Sequence, residues 1–337
     1  MIIVMRPQAS QEQIGHVVER VQSAGLRAVP VPGEGQTTVA VLGDTRSVVI
    51  DRWLAMPGVE RIVPIMTRYK LASREVQKQT SCIPLDGGVV GGTRIAVIAG
   101  PCAVEGLAQV LEVGRRVKAA GAMALRGGAY KPRTSPYSFQ GLEEEGLEML
   151  AEARKATGLP VVTEVLSEHL VEKVATYADV LQVGARNMQN YTLLRALGEV
   201  QKPVLLKRGM SATVEELLLA AEYVMMSGNS TVMLCCRGIR TFEDHMRYTL
   251  SLGAVAYLKK VSHLPVIVDP SHAAGERSLV PPLCKAAVAC GADGLLVEVH
   301  PDPEKALVDG PQALTCEDFD LLMAQLRPIA EAVGRTL

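Results

Sequence analysis

A loop rich in cations, glycine and proline is the stretch of this chain most suited to binding chemistry. It runs from Arg126 to Gly141 and contains Lys131, Arg133 and Thr134. Glycine permits close approach of the backbone to another group and proline lacks a backbone donor, so the stretch is a poor candidate for a regular buried element. A guanidinium fork, an ammonium group and short hydroxyls together suit a phosphate group. The competing interpretation is a solvated basic loop, and the rest of the chain decides between the two.

A second set of residues offers ligands for a metal ion. Cys102, His272, Glu298 and Asp309 supply a thiolate, an imidazole and two carboxylates. Each alone has a plainer interpretation, because a cysteine is usually a small buried hydrophobe and a charge near a strand end is usually solvated. Together they suit a divalent transition metal such as Mn²⁺, Fe²⁺, Zn²⁺ or Co²⁺, with an open position for a substrate oxygen. His300 lies two residues after Glu298 and is a competing ligand.

Cations recur at the ends of other apolar runs in the chain. The set consists of Arg126, Lys131, Arg133, Arg186, Lys207 and Arg237. Cations that face the inside of a protein need anionic partners. Two phosphorylated substrates, one of them also a carboxylate, therefore match this set and a metal ion better than a single phosphate does.

The elements that must position these residues alternate between strand and helix after residue 94. Apolar runs that read as strands lie at 95–99, 123–126, 160–165, 180–184, 203–207, 231–236, 265–268 and 294–299. Helical patterns lie between them, for example at 104–120, 143–157, 213–227 and 281–290, with a last one at 317–333. This repetition predicts a (β/α)₈ TIM barrel. A doubly wound open sheet is the alternative, but the even spacing and the lack of a Gly-x-Gly-x-x-Gly fingerprint favour the barrel.

The predicted barrel explains why distant residues would form one site. Active sites of such barrels lie at the carboxyl ends of the strands, and the residues of both sets stand at or just after those ends. The first, seventh and eighth strands are neighbours in a closed barrel, so Cys102, His272 and Glu298 are expected to converge. The third strand carries Glu164, which faces the same end.

Residues 1–66 predict a separate small domain of α/β class with the order βαββαβ. The strands are expected at residues 2–5, 26–31, 37–42 and 59–65, with a first helix that begins at a Ser10–Gln13 capping box and a second at 44–56. This order is the ferredoxin-like motif. Residues 67–93 predict a linker followed by a hairpin around Asp86-Gly87, and residues 94–337 form the barrel domain.

The composition excludes several classes of function. The net charge is −1 and aromatic residues make up 4% of the chain, which argues against a nucleic-acid partner. No apolar run is long enough to span a membrane and no signal peptide pattern is present, so we expect no membrane partner. The seven cysteines are scattered and odd in number, which predicts reduced thiols and a cytoplasmic protein.

The motifs around these residues resemble those of the type I (beta subgroup) 3-deoxy-D-arabino-heptulosonate 7-phosphate (DAHP) synthases, which carry an N-terminal ferredoxin-like (ACT-like) regulatory domain. The matching segments are Gly100-Pro-Cys102, Arg126-Gly-Gly, Lys131-Pro-Arg133-Thr134, Gly184-Ala-Arg186-Asn, Leu206-Lys207-Arg-Gly-Met, Arg237-Gly-Ile-Arg-Thr-Phe and Asp269-Pro-Ser-His272. The resemblance covers essentially the whole chain. Lys131-Pro-Arg-Thr separates it from the related 3-deoxy-octulosonate 8-phosphate synthases, which have a Lys-Ala-Asn-Arg type of loop at this place.

The resemblance implies a role for each residue of the two sets. Cys102, His272, Glu298 and Asp309 would be the metal ligands, and Arg126, Lys131, Arg186, Lys207 and Arg237 would hold phosphoenolpyruvate. Arg133 and Thr134 would hold the phosphate of erythrose 4-phosphate, with Pro132 between Lys131 and Arg133 in the same substrate loop. The implied reaction joins the two substrates without a Schiff base and releases phosphate. Lys131 would protonate the new alkoxide, and Glu164 would handle the proton of water, with the metal-bound Cys102 and Asp309 as rivals.

The resemblance also implies regulation and assembly. Tyrosine or phenylalanine is the expected inhibitor, acting through residues 1–66, and a homo-oligomer, either a dimer or a homotetramer, is expected. The chain departs from the family pattern at Cys236, where a Glu is usual, at Ala103, where a Ser is common, and at Tyr248 and Ser251, expected on the sixth helix as Asn and Asp. Cys236 should point away from Arg237 on the strand, so the phosphate contact should survive.

Three other functions fit parts of the pattern. A class I aldolase would use Lys207 or Lys131 as a Schiff base and would ignore chelators. A non-catalytic effector-binding protein would keep the barrel as a relic, which the complete metal set argues against. An octulosonate 8-phosphate synthase would accept arabinose 5-phosphate instead of the four-carbon sugar.

Overall fold

The computed structural model describes residues 1–33, 35–43, 45, 50–63 and 67–337. The described chain divides into two compact units, Met1–Gln79 with Val261–His263, and Thr80–Lys260 with Leu264–Leu337. The domain boundaries at 66/67 and 93/94 stay predictions, because compactness alone does not say which residues share a role. Within the described residues, no helix has the length and apolar character needed to cross a membrane.

The small unit contains, among its described residues, a four-stranded antiparallel sheet. Its strands are β1 (Ile2–Met5), β2 (Arg27–Pro32), β3 (Thr37–Leu42) and β4 (Val59–Val63), and its helices are α1 (Gln11–Ser23) and α2 (Ile50–Leu54). The order across the sheet is β2-β3-β1-β4, with every neighbouring pair antiparallel. This chain order and sheet order confirm the ferredoxin-like motif.

Local sequence signals explain how this unit begins. The predicted capping box is present: Gln13 N donates to Ser10 Oγ at 3.2 Å, and Ser10 N donates to Gln13 Oε1 at 3.0 Å. Ile14, Val17 and Val21 follow at helical spacing and are buried against the sheet. Part of the predicted second helix (residues 44 and 46–49) and the end of the last predicted strand (residues 64 and 65) lie outside the described residues.

The large unit is a closed barrel of eight parallel strands, all within the fully described range 67–337. The strands are β7 (Ala96–Gly100), β8 (Ala124–Arg126), β9 (Val161–Glu164), β10 (Val180–Val183), β11 (Val204–Lys207), β12 (Val232–Cys236), β13 (Val266–Val268) and β14 (Gly294–Glu298). β14 pairs with β7, which closes the sheet. Every strand is buried along its whole length, as expected of a parallel sheet that is covered on both faces. The TIM-barrel prediction is confirmed, and the open-sheet alternative is wrong.

Helices surround this barrel. They are α3 (Leu107–Ala120), α4 (Glu143–Thr157), α5 (Val171–Tyr177), α6 (Tyr191–Glu199), α7 (Val214–Met226), α8 (Leu252–Val261), α9 (Pro270–Ala274), α10 (Val280–Ala289) and α11 (Cys316–Ala332). The predicted sixth helix begins only at Leu252, so Tyr248 and Ser251 precede it rather than lie on it. The backbone of Tyr248 is instead tied to the Ala273 carbonyl oxygen at 2.9 Å, which leaves its ring in a loop at the carboxyl end of the barrel.

A hairpin precedes the first barrel strand. β5 (Ile83–Leu85) pairs antiparallel with β6 (Gly88–Val90) around the predicted Asp86-Gly87 turn. Ile83 and Val90 belong to one buried cluster with residues that begin barrel strands, such as Ala96 and Val180. The hairpin therefore contributes to the core at the amino ends of the strands, which leaves the carboxyl ends for chemistry.

Candidate active site and metal centre

Cys102, His272, Glu298 and Asp309 come together as the sequence predicts. One ligand atom from each of the four lies within 4.8 Å of the others, and they form the one such group among the described His, Cys, Asp and Glu residues. Glu298 is fully buried and Cys102 is 3% exposed. Glu298 is the last residue of β14 and is paired with Gly100, the last residue of β7. The closure of the barrel thus brings residues about 200 positions apart in sequence to one point.

Gly100 and Asp309 have unusual backbone conformations beside the metal group. The φ of Gly100 is 153°, at the edge of the region that favours glycine, and an added Cβ would overlap the carbonyl oxygen of Arg126. Asp309 sits in the left-handed region with a φ of 55°, a conformation that non-glycine residues seldom adopt. Its Oδ2 lies 3.4 Å from Cys102 Sγ, so this backbone conformation aims the carboxylate at the thiol.

His272 is oriented by Asp269. The short helix α9 begins with Asp269 as its N-cap, whose Oδ1 accepts from His272 N at 3.0 Å. Asp269 Oδ2 lies 2.7 Å from His272 Nδ1 and 2.5 Å from Lys207 Nζ. The Nε2 atom therefore faces Glu298 Oε1 at 3.3 Å. A carboxylate behind a histidine is the usual way in which proteins fix a metal-binding imidazole.

The charges around Asp269 and His272 support this arrangement. Burial alone would raise the pKa of Asp269, but His272 and Lys207 outweigh it and hold this pKa well below its usual range. Burial lowers the pKa of His272 despite the nearby Asp269 and Glu298. The attraction between His272 and Asp269 acts on the protonated imidazole, whereas the lowered pKa of His272 favours the neutral imidazole, the form that binds metals.

Gln312 lies next to the metal group and contacts Glu298 and Arg247. Its Nε2 donates to Glu298 Oε2 at 2.5 Å, and its Oε1 accepts from Arg247 Nη1 at 3.1 Å. The same Arg247 Nη1 lies 3.2 Å from Asp309 Oδ1. Gln312 and Arg247 therefore fix the positions of two carboxylates that would otherwise repel each other.

The four residues fit a divalent transition metal. Glu298 Oε1 is buried and accepts no hydrogen bond in the described structure, although His272 Nε2 and Arg126 Nη1 each lie 3.3 Å from it. A coordinated cation would satisfy this oxygen. Burial raises the pKa of the Cys102 thiol well above its ordinary value, and the Glu298 charge raises it further. A bound cation would reverse this effect and favour the thiolate. One soft and three harder donors match the metals predicted from the sequence.

His300 does not belong to this group, so it is not the competing ligand considered from the sequence. Its Nε2 lies 3.3 Å from Glu105 Oε2, and its Nδ1 accepts from Asp302 N at 3.1 Å. Both ring nitrogens are therefore used away from the metal group. The i+2 spacing from Glu298 misled because Glu298 ends its strand, after which the alternation of facing no longer applies.

The predicted cations surround a pocket of about 250 Å³ beside the metal group. Its walls include His272, Asp309 and the predicted substrate residues Arg126, Lys131, Pro132, Arg133, Thr134, Glu164, Arg186, Lys207 and Arg237. Three of these arginines keep a buried donor atom without a hydrogen-bond partner: Nε of Arg126, and Nη1 of Arg133 and Arg237. Buried guanidinium donors without partners indicate a site for an anion.

Lys131 connects the cations with the metal group. Its Nζ donates to the Cys102 carbonyl oxygen at 3.0 Å and lies 3.3 Å from Cys102 Sγ. Burial alone would lower the pKa of Lys131, but the charges of Cys102 and Glu164 outweigh it and the pKa is raised. Lys131 therefore remains a proton donor rather than a free amine, which does not suit a Schiff-base lysine.

Glu164 lies in the same pocket, and two residues that sequence reasoning missed hold it. Gln182 Nε2 donates to Glu164 Oε2 at 3.3 Å. A Cβ added to Gly184 would overlap Glu164 Oε1, so the carboxylate occupies the space that glycine leaves. Gln182 had a signal in the sequence, since it is a polar residue inside the apolar run Val180–Val183.

The other missed residues had weaker signals. Asp269 stands at a strand end like the predicted residues, but it was not chosen as a functional residue. Arg247 and Tyr248 lie in a loop and Gln312 ends a short 3₁₀ helix, Gly310–Gln312, so only the folded chain brings them to the site.

Known proteins share both parts of this architecture. The DAHP synthetase I family matches residues 76–332, and the DAHP synthase ferredoxin-like domain matches residues 1–67. A phospho-2-dehydro-3-deoxyheptonate aldolase of Thermotoga maritima is 49% identical over 334 residues, which are 99% of either chain. A crystal structure of a DAHP synthase from Thermotoga maritima has a TM-score of 0.79 at 48% identity and covers 99% of this chain and 98% of its own.

A second group of relatives is similar over part of the chain. A 2-dehydro-3-deoxyphosphooctonate aldolase of Desulfatibacillum aliphaticivorans is 32% identical over 261 residues, 72% of this chain and 94% of that protein. The higher identity over the full length and the match of both domains decide between the two groups. The chain therefore belongs to the DAHP synthetase I family.

Proposed function

We propose that the pocket beside the metal group is where this chain condenses phosphoenolpyruvate with erythrose 4-phosphate and water to give DAHP and phosphate, the first step of the shikimate pathway to aromatic amino acids. The observation that supports this proposal is that the cation set and the potential metal ligands lie side by side. Four potential metal ligands within 4.8 Å of one another adjoin a pocket whose buried arginines have unpaired donors. An anionic, oxygen-rich pair of substrates satisfies both.

The cations divide into an inner and an outer group. Arg126 and Lys207 end β8 and β11 and are buried at 4% exposure each, and Arg237, which follows β12, is 5% exposed. With the buried Lys131 and the more exposed Arg186 they form the proposed seat for the phosphate and carboxylate of phosphoenolpyruvate. Arg133 and Thr134, in the loop with Pro132, are the proposed seat for the phosphate of the sugar. Bidentate guanidinium contacts would orient both substrates for attack.

Cys102, His272, Glu298 and Asp309 are the proposed holders of a divalent metal ion: Mn²⁺, Fe²⁺, Zn²⁺ or Co²⁺. When bound, the metal supplies Lewis-acid polarisation of the sugar aldehyde. Asp269 and Gln312 keep two of the holding side chains in place, as described above.

The proposed chemistry needs two proton transfers from this chain. Carbon 3 of phosphoenolpyruvate attacks the aldehyde carbon, and Lys131 donates a proton to the alkoxide that forms. Water adds at carbon 2 and phosphate leaves with cleavage of the carbon–oxygen bond. Glu164 would take the proton of this water, and the support for this role is that Gln182 and Gly184 hold its carboxylate in the pocket. Cys102 and Asp309 are the alternative groups for this proton.

The remaining parts of the proposal concern regulation and assembly. The ferredoxin-like unit would bind tyrosine or phenylalanine as a feedback inhibitor, and the chain would act as a dimer or tetramer in the cytoplasm. Support for regulation is the match of residues 1–67 to the DAHP synthase ferredoxin-like domain. Comparison of the full chain with a chain that begins near Gly91 tests it: equal activity and equal indifference to both amino acids would remove the regulatory role.

The first experiment measures phosphate release from phosphoenolpyruvate and erythrose 4-phosphate with EDTA and after Mn²⁺ is added back. We expect EDTA to abolish turnover and Mn²⁺ to restore it. Cys102→Ser should weaken metal binding, because a hydroxyl is a poorer ligand than a thiolate for these metals. Cys82→Ser, at an exposed cysteine, is the control. Turnover that persists through EDTA would keep the substrates and exclude the metal role.

The choice of sugar substrate distinguishes the proposed activity from that of an octulosonate 8-phosphate synthase. Arabinose 5-phosphate replaces erythrose 4-phosphate in the same assay, and DAHP synthase activity predicts a preference for the four-carbon sugar. A preference for arabinose 5-phosphate would contradict the assignment. Borohydride with substrate should leave no covalent adduct, because a Schiff base is not expected.

A further inference from the structure

The aromatic ring of Tyr248 covers one face of the Arg237 guanidinium. The guanidinium carbon lies 4.0 Å from the centroid of the ring, within the range of a strong cation–π contact. Arg237 is 5% exposed, and both residues line the pocket. The contact is therefore part of the wall that faces the substrates.

Backbone hydrogen bonds hold the ring in this place. Tyr248 N donates to the Ala273 carbonyl oxygen at 2.9 Å, and Ile239 and Thr249 exchange two hydrogen bonds of 3.0 and 2.9 Å. Gly238 makes the close approach possible: its φ is +87°, and an added Cβ would lie 2.7 Å from Tyr248 Cβ. The segment that carries the ring is thus tied to α9 and to the residues that follow Arg237.

Arg237 has few other restraints. Its buried Nη1 has no hydrogen-bond partner, and among the ion pairs of the described residues none involves this arginine. An arginine without a carboxylate partner has many rotamers to choose from, and their restriction costs free energy when a ligand binds. A stacked ring restricts the plane of the guanidinium in advance.

The electrostatics of Tyr248 agree with its place among cations. Burial raises the pKa of its hydroxyl, but the charge of Arg237, a side-chain hydrogen bond with Arg237 and the charges of Arg247 and Arg240 together outweigh burial and lower this pKa. Arg247 lies farther from the ring, with 5.9 Å between its guanidinium carbon and the centroid. The ring thus lies closer to Arg237 than to Arg247, which also pairs with Asp309.

We propose that Tyr248 is a positioning residue for phosphoenolpyruvate, since its ring fixes the plane of Arg237 so that the unpaired Nη1 faces the ligand. This inference rests on the proposed function, in which Arg237 binds phosphoenolpyruvate. Because one face of the guanidinium is covered, an anion is received at the edge, where two parallel hydrogen bonds form with a phosphate or carboxylate. The erythrose 4-phosphate subsite has no share in this contact.

The test compares Tyr248→Leu and Tyr248→Phe in steady-state assays with each substrate varied. Loss of the ring should raise KM for phosphoenolpyruvate roughly 3- to 30-fold, the factor expected of a partly buried cation–π contact. KM for erythrose 4-phosphate and kcat should change less than about twofold. Phe retains the ring and should recover most of the loss. Tyr257→Leu, at a 51% exposed tyrosine on α8, is the control.

A second measurement separates this inference from the proposed function. Calorimetric titration of phosphoenolpyruvate alone into the wild type and into Arg237→Lys tests whether Arg237 binds this substrate. If it does, Tyr248→Leu should weaken binding in the wild type and add little in the Arg237→Lys background. Equal weakening in both backgrounds, equal rises in both KM values, or no recovery by Phe would each overturn the role of the ring. Unchanged binding by Arg237→Lys would instead contradict the proposed substrate contact.

Discussion

Lys131 places its ammonium group 3.3 Å from the Cys102 thiol and 3.0 Å from the Cys102 carbonyl oxygen. A second link of the same kind joins Arg126 Nη1 to Glu298 Oε1 at 3.3 Å. The cation set and the metal set are therefore one continuous site. A proton donor must lie within hydrogen-bond reach of the atom that it protonates, and Lys131 lies where the two sets meet.

Replacement of Lys131 by Met tests its role as proton donor. The variant keeps the length of the side chain and removes the ammonium group, so turnover should fall by about 10²- to 10⁴-fold, the usual worth of general acid catalysis. Phosphate release is the measurement. Lys155→Met, at an exposed position of α4, should retain wild-type rates, and turnover of Lys131→Met at the wild-type level would exclude the role.

Replacement of Gly184 by Ala tests the placement of Glu164. The φ of Gly184 is −65°, which alanine adopts without strain, so only the overlap with Glu164 Oε1 opposes the new methyl group. We expect a displaced carboxylate and a fall in kcat of roughly 10²-fold, with little change in the melting temperature.

Gly253→Ala is the matched control, because a Cβ at that helical position meets nothing within 4 Å. It should keep its activity and gain slightly in stability. Full kcat in Gly184→Ala would show that catalysis does not depend on the present position of the Glu164 carboxylate.

Replacement of Gln312 by Ala removes the hydrogen bond to Glu298 Oε2 and the contact with Arg247. Outer residues of this kind usually change metal affinity by about 10- to 100-fold. The measurement is Mn²⁺ or Zn²⁺ affinity by competition with a chromogenic chelator, independent of turnover. Gln201→Ala, at an exposed glutamine, provides the comparison. An unaltered affinity would mean that Glu298 holds its place without Gln312.

His263 predicts the acid sensitivity of the small unit. Burial lowers the pKa of this histidine to about 4, whereas an unfolded histidine has a pKa of about 6.5. At mildly acidic pH the unfolded chain therefore binds a proton at this histidine that the folded unit does not bind. The stabilisation is complete above about pH 6.5 and is lost as the pH falls towards 4, so acidification from pH 7 to 5 should cost about 2 kcal/mol of unfolding free energy.

Trp53, the one tryptophan of the chain, is buried in the same unit and reports its unfolding by fluorescence. Urea titrations at pH 7 and pH 5 give the free energies for the wild type and for His263→Gln. The variant should lose about 2 kcal/mol less than the wild type on acidification. Equal losses would show that His263 is not the group responsible.

Local sequence patterns determined most of the fold. The period of the apolar residues placed the barrel strands to within one or two residues, because a strand buried on both faces must be apolar along its length. The Ser10–Gln13 capping box began α1 where predicted, since a cap depends on residues three positions apart. The four potential metal ligands and the cations could be predicted because residue type and position at or after a strand end are both visible in the sequence.

Contacts between loops were decided only by the tertiary structure. Gln312, Arg247 and Tyr248 reach the site from segments without a period, so neither their facing nor their partners could be read from spacing. His300 shows the same limit. Residues i and i+2 face the same way only within a strand, so the spacing from Glu298 does not fix the direction of His300, whose ring pairs with Glu105. The sequence by itself determined the fold and which residues carry the chemistry. Only the closed barrel decided which neighbours hold those residues in place, because these contacts join positions far apart in the chain.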